Sequence, residues 1–162
     1  MNYYSHYNYC IMKTIFCLLL MITFPGYLSA QETGCISGNC NDGKGIYVYA
    51  NGFRYDGAFV KGLREGRGSL KGSDSTFYDG MWANDVFHGQ GTYIWSDGAK
   101  YTGEWKNGIQ DGYGIYFYAN GDKYTGYFKE NKFHGKGTYT WASGESSNGI
   151  FENGVLIKKD TK

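Results

Sequence analysis

The same residue types return every 23 positions along this chain, and that period limits what it can fold into. Tyr55, Tyr78, Tyr101 and Tyr124 are one period apart. Two residues after each stand Gly57, Gly80, Gly103 and Gly126, and Gly149 continues the series. Two further on are Phe59, Trp82, Trp105, Phe128 and Phe151. Self-similarity at a period of this length marks an array of one small unit, not a globe around a single reaction centre.

Counted from its first glycine, the unit begins at Gly43, Gly66, Gly89, Gly112 and Gly135, and a second glycine follows two residues later at Gly45, Gly68, Gly91, Gly114 and Gly137. After this G-x-G comes an alternating run: Ile46-Tyr47-Val48-Tyr49, Thr92-Tyr93-Ile94-Trp95, Ile115-Tyr116-Phe117-Tyr118 and Thr138-Tyr139-Thr140-Trp141. β-Branched and aromatic residues at period two predict a strand. A turn pair follows, Asn51-Gly52, Asp97-Gly98, Asn120-Gly121 or Ser143-Gly144. Asn-Gly and Asp-Gly favour two-residue hairpin turns, in which both positions need φ > 0. The second strand carries Tyr, Gly and Trp or Phe on one face, and a loop such as Lys106–Asp111 leads to the next G-x-G. Unit two has Asp74-Ser75 where the turn glycine is expected, which predicts an irregular hairpin there.

Each unit is therefore expected to be one β-hairpin. A lone hairpin is marginal in water, so the units must stack. A mid-strand glycine leaves room for an aromatic ring against the backbone. The reading is all-β: an elongated single-layer antiparallel sheet of five stacked hairpins, 43–65, 66–88, 89–111, 112–134 and 135–157. At about 10 Å per hairpin it would extend roughly 50 Å. Composition agrees: glycine is 26 of 162 residues, aromatics are 19 % and proline occurs once, which suits turns and flat rings on a sheet rather than a disordered tail.

The ends read differently. Ile15 to Phe24 is an apolar run of ten residues behind Lys13, broken by Pro25-Gly26 and followed by Leu28-Ser29-Ala30. This is the order of a secretory signal, too short to span a membrane. Cleavage near Ala30 is expected, with the chain exported to a periplasmic, extracellular or envelope location. The signal reads from Met12; residues 1–11 add nothing to it. Gln31, not Cys, follows the small residues, which argues against a lipid anchor. Segment 31–42 retains Cys35 and Cys40, expected to pair in an oxidising compartment and to pin the first strand end. Residues 158–162 form a basic tail.

The frame Y-x-G-x-W-x-x-G-x-x-H/D-G-x-G resembles the MORN repeat. YTGEWKNGIQDGYG, Tyr101–Gly114, carries it in full. YDGMWANDVFHGQG (Tyr78–Gly91), YTGYFKENKFHGKG (Tyr124–Gly137) and YDGAFVKGLREGRG (Tyr55–Gly68) keep the frame. Ser147 in the last tyrosine slot fits a degenerate cap. The resemblance implies an antiparallel β array used for protein contacts or at membrane surfaces, with no catalysis by the repeat.

The residues themselves offer little chemistry. His88 and His134 share one slot with Glu65 and Asp111 but sit two units apart, roughly 20 Å, too far to share a metal. No helical segment follows any G-x-G, as a dinucleotide loop would require. Asp56 and Asp79 share a slot, as do Asp74 and Asp97, and repeated acids of this kind form turns and solvated edges. No cofactor, metal or nucleic acid is expected: net charge is +1, and residues 31–162 hold 15 basic and 15 acidic side chains. The expected role is a non-enzymatic scaffold contacting a protein partner or a second copy. The repeat core would be Tyr55, Gly57, Phe59, Tyr78, Gly80, Trp82, Tyr101, Gly103, Trp105, Tyr124, Gly126 and Phe128. The candidate binding face would be Tyr47, Tyr49, Tyr93, Trp95, Tyr116, Tyr118, Tyr139 and Trp141. Lipid-surface association and glycan binding through exposed aromatics are the alternatives. Charge balance weighs against the first, and the H/D-G-x-G frame separates the chain from aromatic-glycine cell-wall repeats.

Overall fold

A computed structural model describes residues 32–160; residues 1–31, where a signal segment is expected, and residues 161–162 lie outside the described residues. Every regular element described is a strand. The strands are β1 (Gly34–Gly38), β2 (Gly43–Val48), β3 (Arg54–Val60), β4 (Leu63–Lys71), β5 (Phe77–Ala83) and β6 (Val86–Ile94). They continue with β7 (Lys100–Lys106), β8 (Ile109–Phe117), β9 (Lys123–Lys129), β10 (Lys132–Thr140), β11 (Ser146–Glu152) and β12 (Val155–Lys159). They form one open antiparallel sheet in sequence order. Five hairpins account for ten strands. The cysteine segment adds β1, and β12 runs on through Lys158 and Lys159, which pair with Ile150 and Gly149 instead of forming a tail.

Two kinds of tight turn alternate, and both differ from the sequence expectation. At the Asn-Gly and Asp-Gly sites only the glycine has φ > 0, for example Gly52 at 84° and Gly98 at 87°. Gly98 N–H donates to Trp95 O at 3.0 Å, and Trp95 N–H to Ala99 O at 2.9 Å. These are three-residue hairpin loops, a type I turn followed by a left-handed glycine. Asp97 Oδ1 accepts from Ala99 N–H at 2.9 Å, which holds the type I geometry. In the irregular unit Ser75 takes the positive φ, 73°.

The two-residue turns with both φ positive lie at the other ends of the strands. Asn107 and Gly108 have φ of 51° and 82°, and Lys106 pairs directly with Ile109. The stretch expected as loop from Lys106 to Asp111 is thus a turn and the start of β8. The extra residues are absorbed in a bulge: Gly103 faces Gly114 and Trp105 faces Gln110, so Glu104 opposes three residues.

Candidate functional site: the aromatic face

One row of directly paired glycines crosses the sheet: Gly38, Gly45, Gly57, Gly68, Gly80, Gly91, Gly103, Gly114, Gly126, Gly137 and Gly149. One tyrosine ring lies over each of the pairs Gly57–Gly68, Gly80–Gly91, Gly103–Gly114 and Gly126–Gly137. A Cβ on Gly103 would stand 2.6 Å from Tyr101 Oη and 2.6 Å from Gly114 Cα; one on Gly114 would meet the same ring at 2.6 Å. The Tyr101 hydroxyl then donates to Glu104 O at 2.9 Å, on the bulge. Tyr55, Tyr78 and Tyr124 make the equivalent bond to Ala58, Met81 and Tyr127. The spacing Y-x-G is the length of a ring lying along its own strand.

Phe59, Trp82, Trp105, Phe128 and Phe151 close the sides of this row, all at least nine-tenths buried. They meet the tyrosines edge to face, with centroids 5.0–5.3 Å apart at Tyr55–Phe59, Tyr55–Trp82 and Tyr101–Trp105. Trp82 Nε1 donates to Gly68 O, and Trp105 Nε1 to Gly91 O. The four tyrosines are fully buried on a sheet that has one layer. Burial pushes Tyr55 and Tyr124 up to about 12 and raises Tyr78 and Tyr101 further still.

Full burial requires a lid, and the lid is the slot that sequence reasoning missed: Arg64, Phe87, Gln110, Phe133 and Leu156. Phe87 stacks on Tyr78 at 3.9 Å and Phe133 on Tyr124 at 3.7 Å. Arg64 lies over Trp82 at 4.1 Å, with Nε on Asp85 Oδ1 at 2.9 Å. Leu156 covers Gly149, whose own unit has Ser147 in place of tyrosine. At the other end Cys40 Sγ covers Gly45, and the disulfide Cys35–Cys40 fixes it there. The period of these residues was legible; the mixture of Arg, Phe, Gln and Leu concealed their common place.

The residues expected as a separate binding face lie on this same face. Tyr93 pairs with both Tyr78 and Tyr101, and Tyr116 with Tyr101 and Tyr124. Tyr47, Tyr49, Tyr93, Trp95, Tyr116, Tyr118 and Tyr139 are half-buried beside the core, and Trp141 is exposed. From Tyr93 they form one chain of contacts, Tyr93–Trp95–Tyr116–Tyr118–Tyr139–Trp141, with centroids 4.6–5.9 Å apart. The Tyr139 hydroxyl donates to Asp122 Oδ2 at 2.6 Å. Burial first, then that bond, raises Tyr139, while the same bond holds the Asp122 carboxyl below the usual carboxylate range. The opposite face carries Asp79, Thr92, Thr102 and Lys136, with Met81 and the Tyr113–Tyr127 pair among them.

Polar slot residues act as staples between hairpins. Asp42, Glu65 and Asp111 each accept the N–H of the first turn residue one hairpin on: Lys61 at 2.9 Å, Asn84 at 2.9 Å and Glu130 at 3.4 Å. His88 and His134 occupy this slot in their own units and are not brought together. Asp56 and Asp79 make surface ion pairs with Arg54 and Arg67. Among the described residues no three His, Cys, Asp or Glu side chains gather as metal ligands would.

No curated protein matches the chain. The MORN-repeat family model matches five times, over residues 42–54, 55–77, 78–100, 101–123 and 124–146. Four of these begin at a tyrosine of the buried row, Tyr55, Tyr78, Tyr101 or Tyr124, so the family unit starts where the ring lies down on its glycines. The chain belongs to the MORN-repeat family.

Proposed function

We propose that the chain is a non-enzymatic, exported scaffold whose aromatic face docks another protein of the cell envelope. The unbroken row from Tyr93 to Trp141 carries this reading: six rings from three units on one face, partly open to solvent. Tyr and Trp supply large contact area at small conformational cost and are enriched at interface hot spots. Stacked hairpins hold the rings at fixed intervals, so a partner would meet a preorganised surface. The Cys35–Cys40 bridge suits an oxidising compartment and supports export, as does the apolar run behind Lys13.

A photo-crosslinking side chain at Trp141, with Thr102 on the opposite face as control, tests the proposal in cells making the full chain. One defined protein captured from position 141 and not from position 102 is expected. Equal labelling from both faces, or none from 141, would remove the basis for the claim. A captured second copy would identify the partner as the chain itself.

A further inference from the structure

The lid slot has one position whose polar group is left unused. Arg64 is held by Asp85, and Phe87, Phe133 and Leu156 are apolar. Gln110, paired across the strands with Trp105, is only 6 % exposed. Its backbone is paired on both sides with Asn131: N–H to Oδ1 at 2.7 Å, and O from Asn131 N–H at 3.0 Å. Its side-chain amide has no hydrogen-bond partner among the described residues. None of the side-chain atoms described is both sealed and unpaired. The amide therefore opens into the cleft that Gln110 lines, which has a volume of about 310 Å³. Tyr116, Tyr118 and Phe133 form its walls, and Asn131 and Lys132 stand at the rim. One face of the Phe133 ring is taken by Tyr124.

We propose that this cleft binds a single pyranose ring of a glycan, gripped through two vicinal hydroxyls. Its volume lies at the low end of small-molecule sites, roughly 300–1,000 Å³, which suits one ring. A buried primary amide sets one acceptor beside one donor, so it can take a proton from one hydroxyl and give one to its neighbour. The ring walls suit the apolar C–H face of a sugar, and no carboxylate lines the cleft to demand a cation. The cleft shares Tyr116 and Tyr118 with the row of rings proposed to dock a protein, but its grip comes from the Gln110 amide, which is not part of that row, so neither reading depends on the other.

Saturation-transfer NMR on the full chain with the methyl glycosides of glucose, galactose and mannose tests this. At least one is expected to receive transfer, with affinity on the order of a millimolar. Q110F places in this unit the ring already present at Phe87 and Phe133, so it fills the cleft, and transfer should be lost. Q110L keeps the side-chain bulk and removes only the polar pair; it should lose transfer too, which guards against an ill-folded first variant. Thermal midpoints verify that each variant is folded. No transfer to any of the three glycosides, or undiminished transfer in either folded variant, overturns the proposal.

Discussion

At the scale of a residue, the frame is a contact between one ring and two glycines. G103A would drive a methyl into both the Tyr101 ring and the Gly114 backbone. Overpacking of this kind costs about 2–3 kcal/mol, read as a lower denaturant midpoint at unchanged slope. Gly98 is the contrast: nothing lies within 4 Å of its added Cβ, but its φ is +87°. G98A should cost only about 1 kcal/mol, from backbone strain alone. Y101F removes the bond to Glu104 O while keeping the ring, and should cost about 1 kcal/mol by the same measurement. The sequence displayed these tyrosines and glycines openly, because a ring lying on bare backbone leaves no freedom at either slot. The lid was hidden, because Arg, Phe, Gln and Leu can all cover a ring.

At the scale of an element, turn length decides the face. A two-residue turn at Asp97-Gly98 would pair Ile94 with Tyr101 and send Tyr93 to the opposite side. The three-residue loop pairs Tyr93 with Tyr101 and keeps all the rings together. A slip of one residue flips a whole strand, which is why the expected core and binding face proved to be one surface. The two-residue turns carry strain where they lack glycine or asparagine. Glu130 has φ of 50°. E130N should stabilise the chain by up to about 1 kcal/mol, seen as a raised thermal midpoint, since asparagine tolerates this conformation better.

At the scale of the molecule, each hairpin leans on its neighbours, so local loss should stay local. Reducing Cys35–Cys40 uncovers Gly45 at one end of the row. Amides of β1 should then exchange at least about tenfold faster, while those of β7 and β8 hold their rates. Alkaline stability is a property of the whole row. The unfolded phenol loses its proton near 10, whereas Tyr55 and Tyr124 hold theirs to about 12. The folded state favours the protonated ring, so its contribution is full below pH 10 and disappears as pH rises through 12. Urea midpoints should be flat up to about pH 10 and fall between 10 and 12, with tyrosinate absorbance rising alongside unfolding.

The sequence alone determined the repeat, its all-β character, the positions of the Asn-Gly and Asp-Gly turns and the partnership of tyrosine with glycine. Each of these is local: it follows from spacing along one strand and from backbone angles that few residues accept. The tertiary structure alone decided which rings share a face, what covers them, and that Gln110 lines a cleft with its amide unpaired among the described residues. Those depend on register between strands and on side chains meeting across hairpins, and a single residue in a turn is enough to reverse them.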